Sequence, residues 1–190
     1  MRLLSFALAA VLCLAAAPSF ASFGGGKKSD APASTDTPQE KAALTPRQEA
    51  ERWYSDAFEE VTKAKKDAAE GKTKGVEKRW QKALDRGLRA TELDPKYHEA
   101  WNLVGYTSRM LGKFDASVDA YLKSIALKPD YAAAREYLGE SYVELGKLAE
   151  AKEQLAWLDK LNASEDAKTL RAAIEAKEAK SPAASEGDSK

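Results

Sequence analysis

Apolar and small residues recur at Ala100, Leu103, Val104, Thr107, Ser108 and Leu111, and again at Ala134, Tyr137, Leu138, Ser141, Tyr142 and Leu145. Offsets of three and four place each set on one face of a helix. A second helical set follows each, with Phe114, Ser117, Val118, Tyr121 and Ile125 in one unit and Leu148, Ala151, Leu155 and Leu158 in the next. The two units keep register. Gly105 and Gly139, Leu111 and Leu145, Gly112 and Gly146, Lys113 and Lys147, and Pro95 and Pro129 are each 34 residues apart. The pattern predicts helical hairpins turned at Gly112 and Gly146. Pro95 and Pro129 stop the second helix of their units, because proline lacks the helical donor and clashes with the preceding turn. Gly105 and Gly139 fall mid-helix, where glycine costs about 1 kcal/mol relative to alanine. Their presence predicts close approach of the paired helix.

A less regular unit precedes these. Counting back 34 from Phe114, Val118 and Leu122 gives Trp80, Leu84 and Leu88, so residues 76–93 read as another second helix. Its partner opens at "TPRQ", with Thr45 as N-cap, Pro46 at the first helical position and Gln48 completing a capping box. Ala50, Trp53, Ala57, Phe58, Val61 and Ala64 form its apolar face. Trp53 to Trp80 is 27 residues where Trp101 to Phe114 is 13, so this hairpin is longer and the register of its first helix does not transfer. At the other end, Asn162 or Ser164 is a candidate cap for a last helix carrying Ala167, Leu170, Ala173 and Ile174. The expectation is seven helices: about three hairpins and a lid, which a stacked array needs to cover its terminal apolar face.

The units resemble the tetratricopeptide repeat family. Its pattern is met by Trp101, Val104, Gly105, Ser117, Tyr121, Ser124 and Pro129, and in the next unit by Leu138, Gly139, Tyr142, Ala151, Leu155 and Leu158. The match covers about 70 residues, and departs from the pattern at Arg135 for the tryptophan, Ser108 for the tyrosine and Ala163 for the closing proline. The resemblance implies an all-α, right-handed superhelix. It also implies that the first helix of each hairpin lines a concave groove. Carried over by position, Glu99, Asn102, Tyr106, Arg109 and Met110 form one layer and Ala133, Glu136, Glu140, Val143 and Glu144 the next. Tyr106 offers exposed aromatic area, and Glu136, Glu140 and Glu144 form an acidic stripe at i, i+4, i+8. Family members that clamp a terminal carboxylate use lysine, asparagine and arginine. Asn102 and Arg109 alone do not complete that clamp, and the stripe favours a basic or neutral peptide.

The ends change the picture of where such a protein works. Met1-Arg2, an apolar run to Ala17, and Ser19-Phe20-Ala21 form a secretory signal with cleavage after Ala21. Cys13 lies inside it behind the bulky Leu12, which does not suit lipid modification. Residues 1–21 are thus expected as a signal, 22–44 as a flexible linker and 45–178 as the helical domain. That domain divides into a degenerate hairpin at 45–95, repeats at 96–129 and 130–162 and a capping helix at 163–178, and 179–190 is a tail. The short, alanine-rich signal points to a bacterial periplasm. Without Arg2 the chain has 29 bases against 30 acids, so global charge predicts no nucleic-acid partner.

Catalytic chemistry finds little to stand on. "GGGKKS" and "EGKTKG" lack the first glycine of a phosphate loop and follow no strand. His98 is the only histidine, and no cysteine survives cleavage, so a metal site or a general base lacks companions. The expectation is a non-enzymatic adaptor with no cofactor and no small-molecule substrate. Charge is nonetheless uneven. Residues 63–89 carry ten bases and four acids, whereas residues 132–166 carry four bases and eight acids. The alternative expectation is therefore an envelope-associated assembly factor whose basic first hairpin meets an anionic surface or the acidic end of a second copy.

Overall fold

The computed structural model describes residues 43–180. The expected signal, its cleavage site, the linker up to residue 42 and the tail from 181 lie outside those residues. Seven α-helices follow one another: α1 (Pro46–Ala69), α2 (Val76–Leu93), α3 (His98–Met110), α4 (Phe114–Leu127), α5 (Ala132–Glu144), α6 (Leu148–Lys160) and α7 (Ser164–Glu178). They pack as three antiparallel pairs with α7 against both α5 and α6. Each pair contacts only its neighbours, as expected of a solenoid. No strand occurs among the described residues.

The capping box at the start of α1 is present. Gln48 donates its backbone N–H to the Thr45 hydroxyl at 3.2 Å, and Thr45 donates its own to Gln48 Oε1 at 2.9 Å. The turns between paired helices share one device. Gly71, Gly112 and Gly146 take φ of 72°, 71° and 73°, and the lysine after each donates its N–H back to Asp67, Ser108 or Tyr142 at 2.8, 2.9 and 2.8 Å. This is the Schellman closure, which satisfies carbonyls that the helix end leaves open. Gly71 and Gly112 are 41 residues apart, seven more than the repeat, or about two helical turns. The extra residues lie in the turn Gly71–Gly75 and in α2, which has 18 residues against 14 in α4.

The end of α6 departs from expectation. Neither Asn162 nor Ser164 caps α7. Asn162 sits at φ 56° as the left-handed terminator of α6, a conformation asparagine tolerates better than most residues. The N-cap of α7 is Ala163, which makes no side-chain bond. Glu165 and Asp166 in its first turn instead complement the positive helix end.

The core is a string of small clusters. Ala57, Val61, Ala64, Trp80, Ala83 and Leu103 join the first pair to α3, and Tyr121, Ala134, Tyr137 and Leu138 join α4 to α5. Gly105 admits the ring of Tyr121 from its paired helix, and a Cβ there would stand 2.6 Å from it. Gly139 is crowded by Leu170 of α7 rather than by its paired helix α6. Two residues assigned to apolar faces point outward: Trp53 is 39% exposed and Leu88 is 40% exposed, as is its repeat equivalent Leu122 at 45%.

Arg135, the departure from the repeat pattern, fills the tryptophan's place. Trp101 Nε1 donates to the Pro95 carbonyl and Arg135 Nε donates to the Pro129 carbonyl, both at 2.9 Å. The guanidinium then lies 4.1 Å from the centre of the Trp157 ring.

Candidate functional site on the inner face

Helices α1, α3, α5 and α7 form the inner layer, and the repeat period sets which of their residues share a level. Tyr106 of α3 is the centre of an aromatic row, 5.9 Å from Trp80 and 5.5 Å from Tyr137 between ring centres. Arg109, one turn further along α3, lies over the rings of Tyr106 and Tyr137 at 5.8 and 5.7 Å. The ammonium of Lys65 approaches Tyr106 from α1 at 4.9 Å. Tyr106 is half-buried rather than freely exposed, because three helices supply neighbours.

The acidic stripe does not stand as three solvated charges. Arg109 Nη2 meets Glu140 Oε2 at 2.8 Å, so relief of the expected repulsion comes from the neighbouring helix. Glu136 is buried at 8% exposure. Burial first, then the side chains of Asp166 and Glu140, push its pKa up to about 8, so it is largely protonated at neutral pH. Burial also raises the pKa of Glu140, against the opposing pull of Arg109. Glu144 alone of the three is exposed. Burial and the nearby Arg109 lower the pKa of Lys65.

The remaining expected groove residues divide. Asn102 is buried on the inner level, and Glu99 is half-buried with Oε2 2.9 Å from His98 Nδ1. Met110 packs with Tyr106 against the first core cluster. Ala133 packs against the Tyr121 and Tyr137 cluster. Val143 belongs to the core shared with α6 and α7, beside Leu158 and Leu170. Trp80 and Tyr137 are core residues, as their helical spacing predicts, and Lys65 joins the site without a sequence signal, since no repeat register reaches it.

Five buried side-chain atoms lack a hydrogen-bond partner among the described residues: Glu99 Oε2, Asn102 Oδ1, Arg109 Nε, Tyr121 OH and Glu140 Oε2. Arg109 is close enough to Glu140 to offset its charge and also interacts with the Tyr121 hydroxyl, both in poorly aligned geometry, whereas burial lowers the pKa of His98, which faces Glu99 as a neutral ring. Four of the five belong to inner-level positions of α3 and α5. No group of three metal-binding side chains occurs among the described residues, and no described helix is long and apolar enough to cross a membrane.

Residues 105–146 match the family model described as TPR repeat. The solved TPR domain of Arabidopsis OM64 superposes with a TM-score of 0.54 at 15% identity, covering 68% of this chain and 97% of that one. The fold is a tetratricopeptide-repeat superhelix. The Yersinia enterocolitica type III secretion chaperone SycD, solved in complex with a peptide of the translocator YopD, shares this TPR fold. Its TM-score is 0.53 at 19% identity, with 68% of this chain and 92% of that one covered. A peroxisomal targeting signal receptor of Candida albicans is 33% identical over 76 residues, which are 40% of this chain and 13% of the receptor. The chain therefore spans a small part of that relative's length.

Proposed function

We propose that the inner face of α1, α3 and α5 binds an extended segment of a partner protein and that the domain acts as a non-catalytic adaptor. The observation that carries this reading is the gathering of buried polar side chains on the inner level, with Asn102 Oδ1 unpartnered and Glu99 and Glu140 held only by poorly aligned contacts. Leaving such an atom unsatisfied costs about 1–3 kcal/mol, and a peptide backbone supplies both donors and acceptors at strand spacing. Tyr106, half-buried between the core rings of Trp80 and Tyr137, offers the aromatic contact on which affinity concentrates. Lys65 at one end, and Glu144 with Asp166 at the other, favour a guest whose acidic group lies toward α1 and whose basic group lies toward α7.

Asn102 gives the test. Asn102→Ala removes an orphaned oxygen, so the variant should melt at or above the parent temperature while binding a partner captured by crosslinking at least tenfold more weakly. Unchanged affinity at full stability would remove the inner face from recognition. The reading places the adaptor in a bacterial periplasm, on the strength of residues 1–21. Fractionation and N-terminal sequencing of the chain from its native cells should give a periplasmic product beginning at Ser22, and a cytoplasmic full-length product would refute export.

A further inference from the structure

The first hairpin outgrows the solenoid. Its packed core ends at Ala64 on α1 and resumes at Val76 and Trp80 on α2, while residues 68–75 between them are all exposed. Residues 63–82 hold eight bases and three acids. Two of those acids are already taken, Asp67 by Arg79 at 2.8 Å and Glu70 by Lys72. Lys66, Lys74, Lys78 and Lys82 form no ion pair among the described residues. The projection is thus a narrow tip with a surplus of lysine charge, its four unpaired lysines distinct from Lys65, which faces Tyr106 on the inner face.

We infer that this tip docks on an anionic phospholipid surface. The tip's chemistry distinguishes that partner from a nucleic acid. Between residues 63 and 79 there is no aromatic ring on which a base could stack and a single arginine, Arg79, whose guanidinium is committed to Asp67 and Glu60. A long polyanion lying along the solenoid would also meet the acidic surplus of residues 132–166. Mobile headgroups gather beneath a small cluster of hydrated point charges without such a clash. Each lysine close to an anionic leaflet strengthens attachment about fivefold, and the attraction decays within a Debye length.

The test uses the full chain in sedimentation with phosphatidylcholine vesicles, with and without phosphatidylglycerol. Phosphatidylcholine alone reports any insertion by the apolar N-terminal run. One variant carries Lys66→Gln, Lys74→Gln, Lys78→Gln and Lys82→Gln. A second makes the same change in net charge elsewhere, at Lys147, Lys160, Lys168 and Lys180. The parent should prefer phosphatidylglycerol and be released as salt rises. The tip variant should lose about 600-fold in apparent affinity with an unchanged melting curve, and the distal variant should bind as the parent does. Equal loss in both variants would reduce the effect to net charge and overturn the assignment. So would absence of a phosphatidylglycerol preference, or retention of an oligonucleotide at salt that releases the vesicles.

Discussion

The α3–α4 and α5–α6 hairpins occupy equivalent places in the superhelix and solve the same local problems with different chemistry. Trp101 and Arg135 both close the proline carbonyl before their helix, one with an indole N–H and one with a guanidinium. Gly105 and Gly139 both make room for a large neighbour, but it is the ring of Tyr121 in the first case and the methyls of Leu170 in the second. Asn102 and Glu136 share one position. The first keeps an unpartnered oxygen, whereas the second is driven toward its neutral form against Asp166. A repeat fixes which backbone groups need partners, and the element stacked next in line determines which side chain supplies them. The α5–α6 hairpin differs because α7, a lid, follows it.

The glycines give the largest effect. Gly105→Ala should cost about 3 kcal/mol, since the new methyl meets the buried Tyr121 ring close to its attachment point. Gly139→Ala should cost less, about 2 kcal/mol, because the crowding atoms are the branched end of the buried Leu170 side chain, which can turn where the Tyr121 ring cannot. Urea unfolding of both variants checks the order, and equal losses would mean that the two sites are packed alike.

Glu136 sharpens the comparison by pH. Its folded pKa lies above the unfolded value, so the folded chain holds an extra proton between roughly pH 4.5 and 8. Its contribution to stability therefore falls as pH rises through that window and is level above it. Glu136→Gln keeps a neutral donor against Asp166 and should flatten the profile, gaining about 1–2 kcal/mol over the parent at pH 8.5 and little at pH 5. Thermal melts at the two pH values decide it, and parallel profiles would show Glu136 ionised in the folded chain. The smallest effect belongs to Arg135. Arg135→Lys loses the planar Nε donor and the stack on Trp157 and should cost about 1 kcal/mol. Arg135→Trp should restore most of that loss, as read by melting temperature.

Much of this architecture was legible because helix periodicity, turn glycines and stopping prolines are local signals. Residues 76–93 could be placed as a helix by counting back from Phe114, and α2 spans them. Ser164 was the natural cap by residue type, but the Asn162 terminator leaves no turn residue free to cap α7. Trp53 and Leu88 show a related limit, since periodicity marks a face without saying whether a neighbour covers all of it. The inner level was legible only as positions. The pairing of Arg109 with Glu140 and the burial of Glu136 depend on which helix lies opposite, and a single helix's spacing carries no record of that.

The hydroxyls of Ser117 and Ser141 lie 3.0 Å apart between α4 and α5, and Ser141 also reaches the Tyr137 carbonyl at 2.9 Å. A hydroxyl has one proton to give, and the carbonyl can only accept. Ser141 therefore donates to Tyr137, and Ser117 donates to Ser141. This one-way chain locks the stagger of one hairpin on the next in a seam otherwise made of alanine, tyrosine and leucine. Sliding α5 by one turn would keep greasy contact but strand the buried hydroxyl of Ser117, since Ser141 carries its Tyr137 acceptor along on the same helix. The hairpins should therefore melt as one cooperative block rather than peel apart in sequence.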